Sequence, residues 1–137
     1  MTLLFQTAGR TTQAQDRAVG LHEVVGIINR RCRALQPAGA AAIAAQINRL
    51  LEAGAWSDAA LALIKLEAPE WTVRRLELDD GEWFCALSRH PTMPAIFDDM
   101  VEAHDRLMPA AIVAALAEAR AIDDAEAVGR RRSPRRD

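Results

Sequence analysis

Apolar positions along the chain change their spacing twice. From Asp16 to Gln36 they recur at three and four residues, so that Ala18, Leu21, Val25, Ile28, Cys32 and Leu35 form one stripe, widened by Val24 and Ile27. That spacing predicts an amphipathic helix, capped among Thr11, Thr12 and Asp16 and stopped by Pro37. Gly20 and Gly26 each cost it about 1 kcal/mol relative to alanine, so it needs contacts beyond its own backbone. A second helix is predicted from about Pro37 to Ala53 on Ile43, Ile47, Leu50 and Leu51, with Gly54 at its carboxyl cap. A third starts at Ser57 as cap, with Asp58 in its first turn. It buries Ala60, Leu61 and Ile64 and ends at Pro69.

Between residues 71 and 89 the period becomes two. Trp71 to Leu78 and Glu82 to Arg89 flank Asp79-Asp80-Gly81, and Asp-Gly between alternating apolar residues is a strong hairpin signal. With Asp80-Gly81 as the loop, Leu78 opposes Trp83, Leu76 opposes Cys85 and Arg74 opposes Leu87, all on the face that puts Trp83 in the core. Trp71, Val73, Phe84 and Ala86 fall on the other face. A hairpin apolar on both faces must pack on helices or pair with more strand. After Pro91 and Pro94 the residues Ile96/Phe97, Met100/Val101, His104 and Leu107 fit helical spacing, and a fourth helix is expected there. Pro109 suits the first turn of a fifth, carrying Ile112, Val113, Leu116 and Ala119. The reading is an α+β fold: three helices, a hairpin over about 71–89, then two helices. One domain is expected over 16–126, between a flexible segment 1–15 and a disordered basic tail 127–137, which has no apolar residue from Gly129 onward.

At 137 residues the chain can bury a core without a disulfide or metal staple. Aromatic residues are only 4% and tyrosine is absent, so stacking platforms for single-stranded nucleic acid are poorly supplied. The longest nearly unbroken apolar run, Met108 to Ala117, contains a proline and is about half the length a membrane span needs. No membrane partner is expected. Met1 to Phe5 lacks the basic flank and apolar length of a secretory signal, and a cytoplasmic location is the expectation. Cys32 and Cys85 stand far apart, with the spacing of neither a disulfide scaffold nor a zinc site.

Charge is laid out in blocks. Residues 1–51 carry six arginines against Asp16 and Glu23, residues 52–126 carry sixteen acids against six bases, and residues 127–137 carry five arginines against Asp137. Opposite blocks in one chain favour contacts between them or between copies.

From Glu52 to about Ile122 the chain resembles a family of short uncharacterised bacterial proteins, mostly alphaproteobacterial. The resemblance is carried by Ala59 to Leu66, Trp71, Arg74-Arg75, Asp80 to Trp83, Leu87-Ser88-Arg89, Asp98-Asp99, Glu102-Ala103-His104 and Leu107 to Ile112. It implies no activity.

Two constellations could carry chemistry. On a helix Asp98, Glu102 and Asp105 would share a face, but His104 would point about 100° away, which describes a solvated acidic face better than a metal site. Cys85, Ser88 and His90 lie within six residues, but no nucleophile elbow exposes either nucleophile and nothing orients the imidazole. No catalytic, cofactor-binding or metal residue is assigned, and no cofactor or enzymatic activity is expected. The expected function is a small non-catalytic cytoplasmic interaction or regulatory protein, with a possible protein partner. It self-associates as a homodimer through Leu21, Val25, Ile28, Cys32 and Leu35, a seam in which parallel copies would bring Cys32 against its mate. One alternative is a nucleic-acid-associated accessory protein using Arg130, Arg131, Arg132, Arg135 and Arg136, with Arg30, Arg31 and Arg33. Another is a small-ligand module under the hairpin, beside Trp83 and His104.

Overall fold

Asp80 and Gly81 both hold positive φ, 50° and 79°, the geometry a two-residue hairpin loop demands. They join strand β1 (Thr72–Asp79) to β2 (Glu82–Ser88) in a computed structural model that describes residues 20–32 and 40–132. Leu78 faces Trp83 and Leu76 faces Cys85, as the alternation predicts. The register then breaks. A bulge between Val73 and Arg75 makes Val73, not Arg74, the partner of Leu87. One inserted residue inverts every side chain beyond it. Trp71, expected on the outer face, is thereby turned inward and is only 2% exposed.

A third strand completes the sheet. Met100–Asp105 (β3) pairs antiparallel with β2, so the sheet order is β1-β2-β3. This segment was expected to be a helix. Its apolar residues fit a period of three to four, but Val101, Ala103 and Asp105 alternate with the exposed Met100, Glu102 and His104, and the open edge of β2 needed a partner. A single 3₁₀ turn, Ala95–Phe97, precedes it.

Among the described residues four helices accompany the sheet: α1 over 20–32, α2 (Ala41–Glu52), α3 (Trp56–Glu67) and α4 (Met108–Arg132). Gly54, with φ of 74°, ends α2 in a Schellman turn, where the amides of Gly54 and Ala55 donate to Leu51 and Leu50. Ala55 closes α2 and is also the residue before α3, so α3 begins at Trp56 and Ser57 is not its cap. The α4 helix replaces the expected fifth helix and runs on to Arg132, so positions 127–132, expected in a disordered tail, are helical here. Expectations for 1–15, Ala18, Leu35 and 133–137 lie outside the described residues.

The core lies between α4 and the sheet and continues through α3 and α2 to α1. Ile28, Ile47, Leu63, Leu87, Ile112 and Leu116 are fully buried, each worth about 1.5–3 kcal/mol against exposure. Ala59, Ala60, Ala111, Ala115 and Ala119 are buried too, and their small side chains let α3 and α4 approach closely. Ion pairs brace the helices across this layer. The buried Glu67 of α3 accepts from Arg31 of α1 at 2.7 Å, while Arg120 of α4 donates to the Glu67 backbone carbonyl at 3.2 Å. On the sheet, α4 covers β2 and β3. The β1 strand is held by β2, and its inward residues Leu76 and Leu78 extend past the helical layer, leaving Leu78 57% exposed. Trp83, on that side of the sheet, is therefore half-buried rather than central.

Two tryptophans thus contribute unequally. Trp71→Ala is expected to cost about 3–5 kcal/mol in urea melts and Trp83→Ala clearly less. Equal losses would place the bulge wrongly. Gly81→Val should destabilise as well, because a β-branched residue tolerates positive φ poorly.

Candidate interaction surface

The segment from Arg89 to Asp99 crosses the end of the sheet between β2 and β3, and one carboxylate holds it. Asp98, whose side chain is fully buried, accepts from the Ser88 hydroxyl, from the His90 backbone N–H at 2.8 Å and from Arg74 at 2.5 Å. Burial pushes the Asp98 carboxyl up, but the Ser88, His90 and Arg74 donors outweigh it and leave it below the usual carboxylate range. Backbone bonds from Phe97 N–H to Pro94 and from Met93 N–H to His90 shape the loop itself.

Arg89 anchors the same loop from the other side. Its guanidinium stacks over the Trp71 ring at 4.8 Å, pairs with Asp123, and reaches Glu126 at 2.8 Å and Asp99 at 3.4 Å. Trp71 donates its indole N–H to Asp123 at 3.2 Å. The Glu126 pairing, opposed by burial and assisted by Asp123, raises the pKa of Arg89, while Arg89 lowers that of Glu126. The start of β1, the end of β2, the loop and the middle of α4 are locked together.

Held from behind in this way, the loop turns apolar side chains outward. Ile96 is 84% exposed and Phe97 66%, with Met93 and Met100 beside them also exposed. Farther along the sheet, towards the hairpin end, the outer face carries Phe84 between Arg75, 5.6 Å from its ring, and His104, whose ring lies 5.5 Å away. His104 also sits 3.0 Å from Glu82. The result is an exposed apolar rim, anchored from behind by Asp98 and Arg89.

The residues singled out from the sequence are placed differently. Asp98 is the loop clamp, and Asp105 accepts the Leu107 N–H at 3.0 Å ahead of α4. Only Glu102 and His104 of that acidic group share a strand face, because the segment is a strand. Among the described residues there is no cluster of three or more His, Cys, Asp or Glu side chains placed to hold a metal ion. The Ser88 hydroxyl donates to Asp98, and Cys85 faces the core, where burial pushes its thiol up to about 11. Trp83 and His104 lie on opposite faces of the sheet, so no pocket forms between them. Of the dimer seam, Ile28 and Cys32 are buried in the chain's own core, with the Cys32 thiol 3.7 Å from the Ala44 carbonyl oxygen. Those two residues are spent internally, as on most amphipathic helices, and are not open to a partner copy. Leu21 and Val25 are partly exposed beside His22 and Trp56. Arg130, Arg131 and Arg132 are exposed on the last turn of α4, while Arg135 and Arg136 lie outside the described residues.

Two measurements check this placement. Asp98→Asn should melt several degrees below wild type near neutral pH. Because the native carboxyl titrates below its unfolded value of about 3.9, that gap should be full above it and close as pH falls further. A gap independent of pH would remove the carboxylate from the clamp. Both buried cysteines should resist thiol reagents at pH 8 until the chain is denatured, and mild oxidation should give no covalent dimer. Rapid labelling of the native chain would show that α1 or the sheet opens readily.

In comparisons with known proteins, no family model, no curated protein and no solved structure matches this chain.

Proposed function

We propose that the chain is a small non-catalytic interaction protein of the cytoplasm, self-associating, that presents its 93–100 rim to a protein partner. The exposure of Ile96 and Phe97 on a loop clamped by a buried carboxylate carries this reading. A contiguous exposed apolar patch costs solubility unless something covers it, and a loop already held in one conformation loses little entropy on docking. That no helix among the described residues is long and apolar enough to cross a membrane is compatible with it. Arg74, Ser88, Arg89, Asp98 and Asp99, which shape the rim, are among the residues that carry the resemblance to short alphaproteobacterial proteins. We read the rim as a property shared with them.

A second reading rests on Arg130 to Arg132. They crown the end of α4, where every residue from Asp124 to Arg132 except Ala127 is exposed, and such a basic end attracts phosphates.

Affinity retention with the immobilised chain separates the two. Ile96→Ser with Phe97→Ser should abolish retention of a protein partner without lowering the melting temperature. An unchanged set of retained proteins would end the rim reading. If instead nucleic acid is retained, lost on Arg130→Ala with Arg131→Ala and Arg132→Ala and weakened steeply by salt, the second reading takes its place.

A further inference from the structure

Among the described residues the outer edge of β1 has no neighbour in the sheet, and the order of charges along it suits a second copy of the same strand. From Val73 to Asp79 the strand reads two bases, Arg74 and Arg75, then Leu76, then Glu77 and Asp79 alternating with Leu78. Turning the strand end over end places its basic half against its acidic half. We propose that two copies pair antiparallel along β1 around a two-fold axis at Leu76, giving one continuous six-stranded sheet; this deepens the self-association in the proposed function and rests on it.

The register follows from charge. Around a two-fold axis normal to the sheet, opposite residues share a face and each residue pairs at a constant sum of positions. Centring on Arg75 sets Arg75 against Arg75 of the partner, and centring on Glu77 sets Glu77 against Glu77. Centring on Leu76 sets Arg75 against the partner's Glu77 and Glu77 against the partner's Arg75, both on the outer face. Opposite charges directly across a ladder stabilise and like charges destabilise. Arg75 and Glu77 pair along their own strand, so both side chains already lie together on the outer face beside the edge, and association exchanges or shares those partners across the axis.

The inner face gives a second reason. Leu76 and Leu78 extend past α4, with Leu78 57% exposed, and Trp83 beside them is half-buried. In the pair, Leu76 meets its symmetry mate, and the two uncovered shelves become one apolar surface. Edge strands are usually blunted by bulges and charges. Here the bulge lies at one end, near Arg74, and the charges beyond it are arranged to attract a copy rather than repel it.

Charge reversal tests the pairing on the full-length chain. In sedimentation equilibrium, Arg75→Glu and Glu77→Arg should each raise the dimer dissociation constant by about tenfold or more. The intrachain swap, R75E with E77R, should restore it, and an equimolar mixture of the two single variants should form a 1:1 heterodimer. Circular dichroism on each variant checks that the fold is kept, and the restored swap and the mixture read pairing even if one single variant is weakened. A wild-type dimer whose constant is unmoved by either reversal overturns the β1 pairing while leaving self-association standing. A wild-type chain that stays monomeric across the concentration series overturns both.

Discussion

A helix is about 10 Å across and strands in a sheet are about 4.8 Å apart, so one helix covers roughly two strands. In this fold α4 lies against β2 and β3, with α3 and α2 stacked behind it, and the sheet has one strand more than the helix can cover. Most of what is distinctive about the surface follows from that mismatch. The core is complete under β2, where Cys85 and Leu87 are fully buried, and thins under β1, where Leu78 and Val73 are exposed. The same offset leaves Trp83 partly in solvent at the hairpin end while Trp71, turned inward by the bulge, seals the opposite end against α4.

That sealed end is held by charge rather than by apolar burial alone. Arg89 sits on the Trp71 ring and joins three carboxylates from the loop and from α4, and Asp98 gathers three donors behind the loop. Ion pairs and hydrogen bonds of this kind fix a geometry at modest net gain in stability, since each traded hydration for a partner. What they secure is position. Without them the segment from Pro91 to Phe97 would have few buried side chains to order it; with them Ile96 and Phe97 are displayed in one place.

Other polar groups hold local structure in a similar way. Ser88 donates to Asp98, Asp105 accepts from the amide of Leu107, and Glu67 is tied to Arg31 across α1 and α3. The cysteine thiols are buried, and burial disfavours the Cys85 thiolate. Among the described residues, large apolar side chains remain exposed at Leu78, Ile96 and Phe97.

Local chemistry settled what could be read along the chain. Asp80-Gly81 could serve as a two-residue hairpin loop because the type I′ turn that joins strands so tightly takes positive φ at both positions, and the pairs Leu78–Trp83 and Leu76–Cys85 followed from it. Gly54 ended α2 for the same backbone reason, and the stripes of α1, α2 and α4 marked their buried faces. The segment from Met100 to Asp105 was not decided locally: its apolar residues satisfy two periods at once, and the vacant edge of β2 chose between them. The bulge at Arg74 leaves no sign in residue type, yet it moves Trp71 to the other face. Arg89 and Asp123 are 34 residues apart, and Arg31 and Glu67 are 36 apart, so no spacing announces either pair. The sequence by itself determined turns, helix faces and the α+β class, because those depend on neighbours along the chain. The third strand, the inward tryptophan, the clamped loop and the burial of Ile28 and Cys32 were decided by tertiary structure, because each depends on which distant surface was left uncovered.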